Sequence, residues 1–158
     1  MRGRFICMGD TEPQKAISGA GITSQVVGRN VARLRGGSGV SARELATLAA
    51  ELGTPLSQSG ISDIENGRRT VSVDQLTVLA TALDVSPLSL LMPETWAADV
   101  EEVRLTGTPI VLSGDLLSWL RADAPLREVE GAGEAEVVIH RQMWQRRSLP
   151  PWSWTTLT

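Results

Sequence analysis

The chain has 158 residues, of which 42% are apolar and 21% charged, and its formal net charge is −3. These values are typical of one globular domain or two small ones, and no apolar run approaches the roughly 18 residues that cross a membrane. Cys7 and His140 are the only residues of their kinds, which excludes disulfide frameworks, Cys/His zinc sites and most nucleophilic pairs. We therefore expect a cytoplasmic protein without enzymatic activity, cofactor or metal.

Charges and tryptophans are unevenly distributed along the chain. Residues 23–93 carry six Arg and six acidic residues, whereas residues 94–136 carry three Arg and ten acidic residues. All five tryptophans lie beyond position 95. Because net charge bears on solubility and partners rather than on fold, the total of −3 does not exclude a nucleic-acid partner. We predict a flexible arm at 1–22, a helical domain at 23–93 and a C-terminal region at 94–158.

The first predicted helix begins near Ser24. Its apolar stripe, at helical spacing, consists of Val27, Val31 and Leu34. The polar residues of the same segment are expected on the opposite, solvent-facing side, namely Arg29, Asn30 and Arg33. Glycines 36, 37 and 39 end the helix.

A second helix is predicted over SARELATLAAELG. Ser41 and Glu44 stand three residues apart, as in a capping box, and Gly53 followed by Pro55 ends the helix. Four apolar residues are expected to form its buried stripe: Leu45, Leu48, Ala49 and Leu52.

A short third helix is predicted at 57–66, with Ser57 as its N-cap and Gly67 as its end. Its apolar side contains only Ile61 and Ile64. Its outward positions are small and polar: Gln58, Ser59, Ser62 and Asp63.

Two further helices complete the predicted bundle. Ser72 and Gln75 form another capping box, ahead of a stripe made of Leu76, Leu79, Ala80 and Leu83. Pro87 opens a fifth, short helix that ends at Leu91. Five short helices within about seventy residues indicate a compact all-helical bundle.

The third helix carries side chains that suit the major groove of DNA. Gln can pair with adenine, Ser can donate or accept a hydrogen bond, and Asp can accept one from cytosine. The preceding helix would direct its N-terminus towards a phosphate. Arg68 and Arg69 follow the third helix, where they could contact phosphates on either side of the groove.

These motifs, in this order, resemble the Cro/C1-type helix-turn-helix domain of the XRE family, to which lambdoid phage repressors belong. The resemblance covers roughly 24–93. The matching residues are Arg35, Glu44-Leu45-Ala46, Ser57-Gln58, Ile61 to Gly67, Leu76, Ala80, Leu83 and Val85-Ser86. It implies a mostly α-helical fold with a five-helix bundle like that of lambda repressor. For the C-terminal region, which the resemblance does not cover, we expect a small structure that is helical or partly β.

The resemblance, together with the pattern of the third helix, assigns roles to individual residues. The predicted base-reading residues are Gln58, Ser59, Ser62 and Asp63. The predicted phosphate-contacting residues are Ser41, Arg43, Ser57, Asn66, Arg68 and Arg69. Arg35 and Glu65 match a pair that forms a structural ion pair in the family. For Asp63, a local ion pair with Arg68 or Arg69 is the alternative.

The chain departs from the family pattern in two places. Ala42 stands where the family usually has a glutamine that contacts phosphate, so that contact is lost or is replaced by one from Arg43. Leu45 also lies sixteen residues before Ile61, a longer spacing than in the shorter phage members. A roomier turn between the second and third helices is therefore expected.

The sequence after residue 93 shows weaker hydrophobic periodicity than the predicted bundle. We predict an acidic connector, a strand at Glu102 to Leu105, and a helix with Ser113 as its N-cap and an apolar side formed by Leu116, Leu117 and Leu120. Trp119 and Leu126 could pack this helix onto the bundle or onto a second copy. GEAEVVIHRQMWQRRSLP suits a helix or a strand, and LPPWSWTTLT is predicted to be an extended tail.

The predicted function is sequence-specific binding of double-stranded operator DNA by a homodimeric transcriptional regulator, a repressor of the phage or prophage type. Helix 57–66 would lie in the major groove. The alternative is an antitoxin-like module that binds a protein through 94–158, with DNA binding serving autoregulation.

Overall fold

The structure is a computed structural model that describes residues 19–127, 131 and 133–154. Its α-helices are α1 (Ile22–Gly37), α2 (Ala42–Glu51), α3 (Gln58–Glu65), α4 (Val73–Ala82), α5 (Pro87–Leu91), α6 (Ser113–Leu120) and α7 (Glu134–Ser148). Two short strands lie between α5 and α6: β1 (Glu102–Val103) and β2 (Val111–Leu112). The mostly α-helical fold class is confirmed. Across the described residues, none of the helices is long and apolar enough to span a membrane.

Helices α1 to α5 enclose one hydrophobic core. Its buried members are Val27, Val31, Leu45, Ala49, Leu56, Ile61, Ile64, Leu79, Ala80, Leu83 and Leu90. The predicted stripe of α2 is only half right, because Leu48 and Leu52 are 36% and 45% exposed. Leu48 lies on the flank of the stripe, and Leu52 is the C-cap residue beyond the last helical turn. Leu56, from the turn before α3, fills the core instead.

Both predicted capping boxes are present. In α2 the Ser41 Oγ accepts from the Glu44 N–H at 3.1 Å, while the Glu44 carboxylate accepts from the Ser41 N–H at 2.7 Å. Ser72 and Gln75 make the same exchange at the start of α4. These bonds satisfy backbone N–H groups that the first turn of a helix leaves unpaired.

Helix α1 begins earlier than the predicted arm at 1–22 allows. Residues 1–18 of that arm lie outside the described residues, but Ala20 is buried and Ile22 is already helical. The Ala20 N–H donates to the Gly67 carbonyl at 3.2 Å. The Gln25 side chain in turn donates to the Ala20 carbonyl at 2.8 Å. The chain is therefore attached to the end of α3 before α1 starts.

The crossing of α1 and α3 depends on Gly28. A Cβ atom at this position would overlap the carbonyl oxygen of Ile64 and would lie 3.0 Å from its carbonyl carbon. The two backbones therefore touch at this point, and no side chain can separate them.

The polarity of Asn30 predicts a position on the solvent face, and this prediction is wrong. The side chain is 2% exposed, and its amide nitrogen donates to the carbonyl oxygens of Leu90 at 3.0 Å and Met92 at 2.7 Å. Its carbonyl oxygen accepts from Arg33 at 3.2 Å. Asn30 thus ties α1 to the end of α5, where the helix leaves backbone carbonyls without helical partners.

The region after α5 packs onto α1. Strands β1 and β2 form an antiparallel pair, with Glu102 opposite Leu112 and Val103 opposite Val111. A second core then forms around buried residues Val26, Leu105 and Leu116, joined by Met92, Val103, Val111, Trp119, Leu120 and Leu126. Trp119 and Leu126 therefore pack against this second core of the same chain, to which α1 contributes Val26.

Three predictions for the C-terminal region need correction. The strand at Glu102 to Leu105 is shorter, ending at Val103. Ser113 is not an N-cap: it is the first helical residue of α6, and its buried hydroxyl donates to the Ala97 carbonyl at 2.9 Å. The tail is not fully extended, since residues 151–153 form a 3-10 turn. Residues 155–158 of that tail lie outside the described residues.

Replacing Gly28 by alanine tests the crossing of α1 and α3. The added methyl group collides with backbone rather than with a movable side chain, so we expect the free energy of unfolding to fall by about 3 kcal/mol. Urea denaturation followed by circular dichroism measures this loss. Gly36→Ala is the matched control, because a Cβ at this position of the same helix would have no atom within 4 Å. It should leave stability unchanged or raise it by up to about 1 kcal/mol. Equal effects of the two substitutions would contradict the close crossing.

Candidate nucleic-acid interface

Helix α3 presents a polar surface on the side opposite its core contacts. Gly60, Ile61 and Ile64 face inward and are buried. Gln58 and Ser59 are exposed, while Ser62 and Asp63 are half-buried; they form one face by the helical spacing of three and four residues. The four predicted base-reading residues therefore lie on a single face of α3.

Several of these side chains are held by local hydrogen bonds. The Ser57 Oγ accepts from the Gly60 N–H at 3.0 Å and lies 3.0 Å from the Ser59 Oγ. The Asn66 amide donates to the Ser62 carbonyl at 2.6 Å. A serine hydroxyl has one donor and two acceptor sites, so Ser57 can cap the helix and still contact an external oxygen atom.

Asp63 forms the local pair that was its alternative role. Its Oδ1 accepts from the Arg68 Nε at 3.1 Å, and the side chains of Asp63 and Arg68 are 47% and 64% exposed. The Arg68 and Arg69 backbone N–H groups also donate to the Asp63 carbonyl, at 2.8 and 3.3 Å. An exposed pair contributes only about 0–1 kcal/mol, so its carboxylate can exchange this partner for another at small cost.

Arg69 lies nearer to the start of α3 than its place in the sequence indicates. Its guanidinium is 3.0 Å from the position that a Cβ on Gly60 would occupy, and the Ser57 Oγ is 3.1 Å from the same position. The Arg69 side chain therefore extends back along α3, from beyond the C-terminus of the helix to its first turn. Gly60 leaves the space for it. No pattern in the sequence predicts this position of the Arg69 side chain.

The N-terminus of α2 supplies the remaining predicted phosphate contacts. Ser41 and Arg43 are both exposed there. The turn from α2 to α3 spans 52–57, which agrees with the roomier turn expected from the spacing of Leu45 and Ile61. Ala42, at the place of the usual glutamine, is half-buried and packs against the first core.

The ion pair implied by the resemblance is present between α1 and α3. The Arg35 Nε donates to Glu65 Oε1 at 2.7 Å, and Nη2 donates to Oε2 at 3.2 Å. The Nη1 of Arg35 donates to the Val40 carbonyl at 2.9 Å. The hydrogen bond to Glu65 raises the pKa of Arg35, against a smaller lowering from burial. The pair anchors the end of α3 to the end of α1.

Gly28 was not among the functional residues predicted from the sequence. It determines how closely α3 approaches α1, and thus how far the polar face of α3 stands out from the bundle. A single glycine within an otherwise helical pattern was the one signal for it, since such glycines often mark a close approach of two backbones.

Arg35→Ala tests the anchor of α3. Loss of a bidentate, partly buried pair leaves Glu65 without its cation, and we expect the free energy of unfolding to fall by about 2 kcal/mol. Chemical denaturation gives the value. Arg121→Ala is the control, because its pair with Asp123 is exposed on both sides and should contribute under about 1 kcal/mol. A loss no greater than that of the control would refute a structural role for the pair.

Glu44 provides a test by pH. Its hydrogen bonds from the Ser41 backbone and side chain lower its pKa below the ordinary value of 4.5. A carboxylate with a lowered pKa stabilises the folded state fully above pH 4.5, and this stabilisation is lost as the pH falls through the lower, folded-state pKa. We therefore expect the melting temperature of the wild type to fall more between about pH 6 and pH 3 than that of Glu44→Gln. An equal fall in melting temperature in the wild type and in Glu44→Gln would contradict this role.

Comparisons with known proteins find one family model and similar solved structures. A family model described as a helix-turn-helix domain matches residues 26–91. Among solved structures, the chain is similar to the restriction-modification controller protein C.AhdI from Aeromonas hydrophila. The identity is 34%, the match covers 42% of this chain and 94% of that one, and the TM-score is 0.38. No curated protein sequence matches the chain.

The matched segment contains all of α2, α3, α4 and α5 and most of α1, with the capped helices and the exposed polar face described above. On the family model and the sequence identity with C.AhdI, the chain belongs to the helix-turn-helix family of Cro/C1-type DNA-binding regulators.

Proposed function

We propose that the protein is a sequence-specific regulator of transcription, a repressor that binds operator DNA through α3 in the major groove. The observation that carries the proposal is the exposed polar face of α3. Gln58 and Ser59 stand at the exposed start of the helix, and the buried face beneath them is anchored in the first core. A helix fixed in this way can present its N-terminal side chains to base edges without bending.

The proposed roles differ along α3. Gln58 has the geometry for two hydrogen bonds to adenine, and the hydroxyls of Ser59 and Ser62 can donate or accept. Asp63 is held by Arg68 through Oδ1, which restricts the orientation of its carboxylate, so we assign it the weakest base contact. Release of Asp63 would at the same time free Arg68 for a phosphate.

Cations and helix N-termini are proposed to hold the phosphates. Arg68 and Arg69 are exposed next to α3, and Arg43 is exposed at the start of α2. Ser41 and Ser57, at the N-caps of α2 and α3, stand where partial positive charge from each helix favours an anion. Asn66 completes the proposed phosphate contacts, at the end of α3.

The proposed complex is a twofold dimer on two half-sites about 34 Å apart. Residues 23–93 are balanced in charge, with six Arg and six acidic residues, so binding away from the operator should be modest. C.AhdI is named as a restriction-modification controller protein, and a controlling role is what we extend from it to this chain. We further propose a DNA-binding domain at 23–93, a region at 94–158 for oligomerisation or partner binding, and a phage or prophage type of repressor.

Selection of binding sites from a pool of random DNA duplexes tests the proposal. We expect the full chain to enrich a palindrome. Gln58→Ala should relax the preference at one position in each half-site, at a cost of about 1–3 kcal/mol for the preferred base. Failure to enrich any common sequence at low salt, or an unchanged preference in Gln58→Ala, would refute base reading by α3.

Arg69→Ala in the same assay separates phosphate contact from base contact. It should weaken binding to all sequences alike and reduce the slope of log affinity against log salt concentration by about 1. Arg104→Ala is the control, because it removes an exposed arginine of the C-terminal region. A salt slope equally reduced in both variants would contradict the specific role of Arg69.

A further inference from the structure

Helix α7 carries an apolar stripe that faces away from the rest of the molecule. Ala135, Ile139 and Met143 are spaced four residues apart, and Ile139 and Met143 are 56% and 62% exposed. Val138 borders the stripe and is 49% exposed. None of the residues of α7 is buried. A surface helix normally turns its apolar side towards a core. An exposed apolar stripe therefore indicates a surface that binds another molecule.

The orientation of α7 is determined by its opposite face. The Gln145 amide donates to the carbonyl oxygens of Ala122 at 3.3 Å and Asp123 at 3.0 Å, which attaches the helix to the end of α6. Val137 and Trp144 lie on this side of the helix and are half-buried. The stripe of Ile139 and Met143 is therefore directed outwards by contacts within the chain.

The charges beside the stripe are separated along the helix. Glu134 and Glu136 lie in the first turn, and Arg146 and Arg147 lie in the last. Glu136 and Arg147 are eleven residues apart, which is about three helical turns, so they flank the same edge of the stripe. The Glu136 carboxylate also accepts from the Gly133 N–H at 3.1 Å, which holds it over the first turn.

We propose that α7 is a self-association surface, on which a second copy of the chain pairs its own α7 in the antiparallel direction. In such a pair, with the twofold axis near residues 141 and 142, Ile139 contacts the partner's Met143. Glu136 then faces the partner's Arg147, and the reverse contact is made at the other end. The apolar stripe and both charged ends are thus self-complementary, as a twofold interface requires. A parallel pair would instead place like charges opposite each other.

This pairing would supply the dimer of the proposed function and in that respect rests on it. Its test needs no DNA, so the two can fail separately. The molar mass of the full chain is measured by sedimentation over micromolar concentrations, and we expect a monomer–dimer equilibrium. Ile139→Glu should raise the dissociation constant at least about tenfold, because it places a charge in the apolar contact. Val100→Glu is the matched control, since Val100 is 74% exposed outside α7, and it should have no effect.

Charge reversal tests the direction of the helices. Arg147→Glu alone and Glu136→Arg alone each place like charges opposite each other, so each variant should dimerise more weakly than the wild type. An equimolar mixture of the two restores opposite charges at both ends and should recover dimerisation. Circular dichroism of each variant verifies that α7 remains helical, because Glu136 also caps it.

Three results would overturn the proposal. The first is a chain that remains monomeric, which would mean that the stripe faces a partner other than a second copy. The second is a dimer that Ile139→Glu leaves intact. The third is a mixture of the charge variants that dimerises no better than either variant alone, which would mean that the charges serve only to complement the helix dipole. Site selection that still enriches a DNA sequence in any of these cases would leave the proposed function standing.

Discussion

The direct contact of α1 and α3 at Gly28 is the constraint on which the rest of the fold depends. The carbonyl of Ile64 occupies the space that a side chain would need, so the two helices can cross only with a glycine at this point. On one side of the crossing, the Arg35–Glu65 ion pair joins the ends of the two helices. On the other side, the bond from Ala20 to Gly67 attaches the chain that enters α1. Helix α3 is thereby held at three points along α1.

This support explains how a helix of eight residues can be stable in the fold. An isolated helix of that length would be unstable in water, because its few hydrogen bonds do not offset the unfavourable free energy of nucleation. Here Ile61 and Ile64 are completely buried, and Ser57 caps the first turn. The exposed side of α3 contributes little to stability. The fold therefore constrains these side chains little, which is compatible with the DNA contacts proposed for them.

Helix α1 also links the bundle to the C-terminal region. Its core-facing residues Val27 and Val31 belong to the first core, whereas Val26 belongs to the second, with Leu105 and Leu116. Thr23, in the first turn of α1, and Thr106 exchange two hydrogen bonds, at 3.2 and 2.8 Å. The C-terminal region is therefore packed directly against the helix that supports α3.

The sequence by itself determined the local features. Capping boxes, helix ends and apolar spacing depend on residues three or four apart, and the structure has the capped helices that these patterns predicted. Contacts between distant segments carry no such pattern, and only the tertiary structure decided them. Asn30 has the polarity of a surface residue but bonds to carbonyls sixty residues away, and Arg69 returns to the start of the helix that it follows. The pairing of Asp63 with Arg68 was one of two open possibilities, because a side chain's partner depends on the arrangement of the chain around it.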